Sequence, residues 1–487
     1  MKSTLLIICV GILALGAIVV VRTVIHVPDT QQKVDSVTIE LDEMLVAEHL
    51  SEAIQFATVS HQDPAQRDQQ AFENFILWVA TTYPELQSTL SLQRLNDTLL
   101  YKWQGSDAQL KPILVTGHYD VVPVIPGTED KWLQSPFAGV IADGVIWGRG
   151  ALDDKSGVVG ILEATNYLVK QGYEPKRTIY LSLGHDEELG GPNGAALVAK
   201  TLKDENVQLA WSLDEGSFLF DKMFPGIDPL MASINVAEKG SVTLQIVAKS
   251  AGGHSSMPPR QTAVGILAAA ITRLENNPVP GGLEGLSLQM FDTMSRYMPF
   301  IPRVYFANRW LFSGVLDDQL SEQGMTNAML RTTTAPTMLS ASVKVNVLPI
   351  EAIAVVNFRL HPRDSVESVI EHVKRVVESE NVEVRVPEGS GRAASEVSDW
   401  NSPGFSQIAD SLRQIYDGVV ITPGLMIAGS DSRHYGKVAD DAFRFNPFVV
   451  SAKDLTGFHG TNESIRVDNF AQGIRVYIQI IRNGSSG

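Results

Sequence analysis

Cysteine is nearly missing from this 487-residue chain: one occurs, Cys9, inside an apolar run near the N-terminus. The folded part therefore has no thiol, which excludes both a disulfide framework and a thiolate metal site. Any metal must be held by His, Asp and Glu, a donor set that suits zinc or a similar divalent ion at a catalytic rather than a structural centre. Basic charge is also in deficit. Lys and Arg number 39 against 55 Asp and Glu, a formal net charge of -16, which argues against nucleic acid as a partner because phosphates select basic surfaces. There is no internal repeat and no low-complexity tract. Only Leu5 to Val21 is long and apolar enough to approach a bilayer span.

That run carries no charge, follows Lys2 and precedes Arg22. Ala14-Leu15-Gly16 offers small residues for cleavage, but the apolar stretch continues through Val21, which favours an uncleaved signal-anchor over a removed signal peptide. Cys9 follows Leu6-Ile7-Ile8, without the small residue that lipid attachment wants. The basic flanks nearly balance and say little about orientation. A single N-terminal segment places the body outside the cytoplasm, anchored to the membrane, or secreted if the segment is cut.

What is present is a large core. Hydrophobic residues make up 44%, and the length calls for two folded domains plus extras. Residues 1–34 are expected to be the anchor and linker, and 35–236 to begin an α/β domain. Leu41 to Thr58 and Gln70 to Thr82 read as helices, and Leu99 to Trp103, Pro112 to Thr116 and Thr178 to Leu183 as strands. Gly157 to Gln171 reads as a helix between the last two, and Leu209 to Leu213 as a further strand. The texture changes near Ala237. Strands at Ser241 to Ala248, Ser342 to Leu348, Ala352 to Leu360 and Val382 to Val386, with helices at Thr262 to Glu275 and Ser365 to Glu378, spell βαββαβ, a ferredoxin-like sandwich inserted over 237–394. Within it, 278–334 is too long for a loop and reads as a helical excursion packed on its own domain, its aromatics filling a core, with a substrate-lining or dimer role as the alternative. Residues 395–487 return to the first domain, and Asn483 to Gly487 read as a frayed tail.

Metal-type side chains recur at the ends of the expected strands: His118 and Asp120, Asp153 and Asp154, Glu187 and Glu188, and Asp214. His459 follows in Gly457-Phe458-His459-Gly460-Thr461-Asn462-Glu463. Ligands on strand ends converge where the loops of an open α/β sheet gather. Singly each has a plain alternative, such as a helix start for Glu187-Glu188 or a cap for Asp214. Their joint order does not.

Read together from Val46 to Ile480, these motifs resemble the zinc peptidases of the M20 family, within them the carboxypeptidase S and N-acyl-amino-acid hydrolase branch. The resemblance implies a catalytic domain with a central mixed sheet flanked by helices, and an inserted α+β lid that also dimerises. It implies two zinc ions per subunit, with cobalt or manganese as alternatives: His118 and Asp214 on one, Glu188 and His459 on the other, Asp153 bridging. Asp120 would orient His118, Glu187 would be the general base, and the Asp153-Asp154 peptide would be cis. Gly252-Gly253-His254-Ser255-Ser256 resembles the lid motif whose His stabilises the oxyanion, often in the partner subunit's site. Asn357-Phe358-Arg359 resembles the substrate-carboxylate position, and Arg433, in Gly429-Ser430-Asp431-Ser432-Arg433-His434, a second substrate contact. The implied activity is hydrolysis of an amide next to a free carboxylate. The chain would be a carboxypeptidase on small peptides or, alternatively, a deacylase of N-acyl amino acids. A non-catalytic anchored binding protein is the remaining option. His185, His361 and His434 are expected to be structural.

Overall fold

A computed structural model describes residues 2–29, 34–224 and 226–486. Residues 30–33 of the expected linker lie outside the described residues. The main body is built on a mixed sheet of ten strands among the described residues. From one edge, Ser91–Leu95, Thr98–Trp103, Ile179–Gly184, Ile113–His118, Leu209–Asp214 and Ala439–Arg444 lie side by side, followed by Met231–Glu238. Met231–Glu238 pairs with Leu219–Phe220 and, in parallel, with Val420–Met426. Ile113–His118 runs parallel to both of its neighbours and is buried along its whole length, as a strand covered on both faces must be.

Helices cover both faces. Glu43–Gln55 begins at Asp42, whose side chain accepts from the Leu45 amide, and buries Val46, Leu50 and Ile54 on one stripe. Gln69–Thr82 is capped in the same way by Asp68 and buries Phe72, Phe75 and Val79. Lys155–Lys170 is buried on almost every side and packs between the sheet and the C-terminal helix Val467–Ser485. That helix overrides the expected frayed end: Ser485 is buried, and its carbonyl accepts from the amides of Lys176 and Arg177.

A second sheet runs Thr333–Ser340, Glu351–Leu360, Gly240–Lys249, Val382–Arg385, all antiparallel, with Ala263–Asn276 and Val366–Val376 packed on it. This is the ferredoxin-like order, with one strand displaced from expectation. Ser342 to Leu348 alternates like a strand, yet Val343 and Val345 project into solvent and only Val347–Leu348 pairs, with Gly253–His254. The true second strand, Thr333–Ser340, contains Pro336 and a register shift, which hid it. The segment 278–334 is helical, at Gly285–Ser295, Phe300–Ala307, Arg309–Ser321 and Gly324–Leu330. Its apolar core forms on the edge of the large sheet, where Met290, Phe291 and Phe306 meet Met231 and Val420, while its contacts with the sandwich, such as Ser287 with His361, are polar.

Candidate metal centre and substrate pocket

Three parallel strands end together and hand their next residues to one place. His118 closes Ile113–His118, Asp214 closes Leu209–Asp214, and Glu187 and Glu188 follow Ile179–Gly184 in a short 3-10 turn. Nε2 of His118 lies 3.2 Å from Oδ1 of Asp153, and Nε2 of His459 lies 3.0 Å from Asp153 Oδ2. One carboxylate thus faces a histidine on each side. Glu188 stands 3.6 Å from His459, and Glu187 is 4.0 Å from His118. His118, Asp153 and Glu188 can each turn a ligand atom to within 4.8 Å of the others. Asp214 makes its own contact with the Glu215 amide at 2.9 Å, and its other oxygen, like Oε1 of Glu188, is buried without a hydrogen-bond partner.

The loop carrying Asp153 is held from the far end of the chain. Glu463, fully buried, accepts from the amides of Gly150, Leu152 and Asp153 through one oxygen and from Arg149 through the other, at 2.6 Å. The Asp153-Asp154 peptide is cis, as expected. Asp154 turns away from the centre, accepting from Asn446 Nδ2 at 2.9 Å beside Gly117 and Gly157. Asp120 does more than face His118 Nδ1, which is 3.4 Å from its carboxylate and 3.0 Å from its carbonyl. Its two oxygens also accept the amides of Glu187 and Glu188 at 3.2 Å, so one buried carboxylate orients a histidine and the acidic turn together.

The protein groups alone leave this cluster short of positive charge. Burial, with Asp120, Asp153 and Asp214 close by, pushes Glu187 up to about 7. Burial raises Glu188 to about 8 and Asp214 to about 6. Burial acts on Asp153 too, but the hydrogen bonds from His118 and His459 outweigh it and hold that carboxyl below the usual range. Several buried acids, two of them with unpaired oxygens, and two imidazoles form a hard, oxygen-rich donor set with nitrogen at either end. That set fits divalent cations.

Beside the cluster opens a pocket of about 490 Å³. Arg359 and Arg433, both expected there, line it together with Arg392, which carries no motif and was not foreseen. Arg392 donates to buried Glu238 at 2.7 Å, a carboxylate also paired with Arg444. Phe218, Met426 and Phe458 form an apolar part of the wall. His254 does not join the site within its own chain: it is exposed, its Nδ1 2.8 Å from Ser256 Oγ. His185, His361 and His434 bond Thr98, Ser287 and the Gly190 carbonyl.

The model of peptidase family M20/M25/M40 matches residues 114–483. The chain belongs to this family. As an M20 protein it is a metal-dependent hydrolase. It is 39% identical over 455 residues to the probable carboxypeptidase S-like 2 of Dictyostelium discoideum, spanning 92% of this chain and 87% of that one. It is 37% identical over 489 residues to the N-fatty-acyl-amino acid synthase/hydrolase PM20D1 of Xenopus tropicalis, covering 98% and 94%. In fold it is similar to the M20 family metallo-carboxypeptidase Sso-CP2 of Sulfolobus solfataricus, with a TM-score of 0.63 at 17% identity, over 91% of this chain and 99% of that one. The M20 fold expected from the motifs, a mixed sheet flanked by helices, is the one observed.

Proposed function

We propose that this M20 chain is a membrane-anchored dizinc carboxypeptidase, cleaving the amide bond beside a free carboxylate in small peptides. Three arginines, Arg359, Arg392 and Arg433, lining the same pocket as the acids Asp153, Glu187 and Glu188 carry the reading. A guanidinium fork takes a carboxylate in two parallel hydrogen bonds and would set the scissile amide against the acidic cluster.

His118, Asp153 and Asp214 would hold one ion, and Asp153, Glu188 and His459 the other. The donor chemistry and the unpaired oxygens of Glu188 and Asp214 support that division. When bound, the ion pair supplies Lewis acidity toward the amide carbonyl and lowers the pKa of the attacking water. Glu187 takes the proton of that water and returns it to the leaving nitrogen, a role suited to a carboxyl whose burial sets it near neutral. Asp120 keeps the Nδ1 side of His118 occupied, so that Nε2 faces the cluster, and fixes the turn that aims Glu187. His254 lies outside the pocket of its own chain, so an oxyanion contact from it requires a second copy, and a homodimer through the inserted sandwich is part of the proposal.

A second reading, hydrolysis of N-acyl amino acids, is favoured by the apolar wall of Phe218, Met426 and Phe458 and by relatives named as N-fatty-acyl-amino acid synthase/hydrolases. The anchor reading rests on Ser3–Ile25, 23 residues whose most apolar 18-residue stretch has a mean hydropathy of 3.0 and no buried residue. A panel of dipeptides, tripeptides and N-acyl amino acids, each as free acid and as C-terminal amide, offered to zinc-replete protein tests the proposal. Cleavage confined to free acids is expected. Equal turnover of the amides would remove the arginine wall from recognition.

A further inference from the structure

The helix Lys2–Ile25 does not stand clear of the body along its full length. Its last turns rest on the helical segment 278–334. Asn308 Nδ2 donates to the Val19 carbonyl and to Thr23 Oγ1, both at 3.2 Å. Arg22 Nε donates to the Ala307 carbonyl at 3.2 Å, and His26 Nε2 is 2.9 Å from Ser295 Oγ. Among the described side chains of the helix only Val19 and Thr23 are covered, Thr23 fully, and His26 just past its end is half-buried.

Length then decides where the surrounding surface lies. Residues 2–18 precede the first docked residue, and 17 residues at ~1.5 Å each reach about 26 Å. The hydrocarbon layer is about 30 Å thick, and any tilt widens the shortfall. A spanning helix must therefore draw its first docked turn into the apolar layer, and the rest of the docked stretch into the headgroup region.

The chemistry of the docking segment matches that depth. From Thr293 to Leu316 there is no acidic residue, in a chain of net charge -16, while Arg296, Arg303 and Arg309 occur there. Arg296 and Arg309 share Asp292, and Arg296 also reaches Asp29 at 3.2 Å, so three arginines against two carboxylates leave the cluster one charge positive. Next to the seat of the anchor, Phe300–Ala307 and Arg309–Ser321 expose Phe300, Ile301, Trp310, Leu311 and Val315, with Ile301 72% and Trp310 55% accessible. Exposed aromatic and branched side chains among arginines, with a net positive charge, are the composition of a membrane-interface surface.

We propose that Phe300 to Val315 is a membrane-seating face, inserted into the headgroup layer of the bilayer that the N-terminal helix spans, so that the body is held in a fixed pose on the lipid. The proposal rests on the anchor reading of that helix, and the experiment separates the two. Full-length protein lacking its only cysteine through Cys9→Ser is spin-labelled at Ile301→Cys, Leu311→Cys, Leu13→Cys or Leu92→Cys. It is then reconstituted in vesicles of phosphatidylcholine and phosphatidylglycerol. Leu13 lies mid-helix, and exposed Leu92 sits on the opposite edge strand of the large sheet. Ratios of oxygen to water-soluble nickel collision at 301 and 311 are expected to rise several-fold over Leu92 and approach Leu13. A lipid-like Leu13 with 301 and 311 equal to Leu92 overturns the seating face and leaves the anchor standing. A water-like signal at Leu13 as well overturns both. Quenching of Trp310 by brominated lipid, taken as the difference from Trp310→Phe, gives the same answer without a label and must agree.

Discussion

Gly157→Ala is a substitution for which two ordinary effects oppose each other and the distances pick the winner. Gly157 lies in the first turn of Lys155–Lys170, where replacing Gly by Ala favours the helix by about 1 kcal/mol. A Cβ at this position would sit 2.3 Å from Oδ1 and 2.6 Å from Oδ2 of Asp154, where ordinary contact begins near 3.4 Å. The carboxylate has nowhere to retreat. Gly117 already faces its Oδ2 at 2.6 Å from where a Cβ would be, and Asn446 holds Oδ1 at 2.9 Å. A displacement of about 1 Å is required, next to the residue that faces both histidines, and misplacement of that size costs roughly a hundredfold in rate. Overpacking at the upper end of its range, about 3 kcal/mol, outweighs the helix gain and leaves a net loss near 2 kcal/mol. Urea unfolding of the metal-free protein reads the stability, and turnover with bound-zinc stoichiometry reads the site. Gly314→Ala, in Arg309–Ser321 with nothing within 4 Å, should shift stability the other way. If Gly157→Ala is neutral or stabilising and keeps full activity, the packing argument around Asp154 is wrong.

Other perturbations bear on separate parts of the site. Arg359→Lys keeps the charge but loses the fork, and should lower kcat/KM for free-acid substrates roughly ten- to hundredfold; an unchanged kcat/KM would place Arg359 outside recognition. At pH 7, Glu187 at about 7 is roughly half protonated and Glu188 at about 8 mostly so, and a bound cation displaces these protons. Zinc binding should therefore release protons in calorimetry across buffers of different ionisation enthalpy, and affinity should fall as pH drops. Binding without proton release would contradict the electrostatics. Mixing His254→Ala chains with Glu187→Gln chains should restore activity above either alone; no restoration would count against a site completed by a second copy.

The elements around the metal cluster were legible because the parallel strands are short apolar runs bounded by Gly and acids, as in Ile113–His118 and Ile179–Gly184. Ferredoxin-like order was legible too, yet its second strand was not. Thr333–Ser340 has a proline in its middle, whereas Ser342 to Leu348 mimics the period of a strand while lying in solvent. Long-range partners left no local mark. Glu463 was read only as part of the motif around His459, because its work on the Asp153 loop requires two segments some 310 residues apart to meet. Arg392 sits in Gly-Ser-Gly-Arg-Ala-Ala, where nothing local distinguishes it from a surface cation. The aromatics of 278–334 read as core filling, and half of that is right: Phe306 is buried, but Trp310 faces out beside the seat of the anchor.

Glu187→Gln tests the central claim most directly, because it changes the base and leaves every proposed metal contact in place. Zinc content measured on the purified variant should match the unaltered protein, while turnover of the best substrate in the panel falls by roughly 10²- to 10⁴-fold. Unchanged turnover with zinc retained would contradict the assignment of Glu187 and, with it, the mechanism.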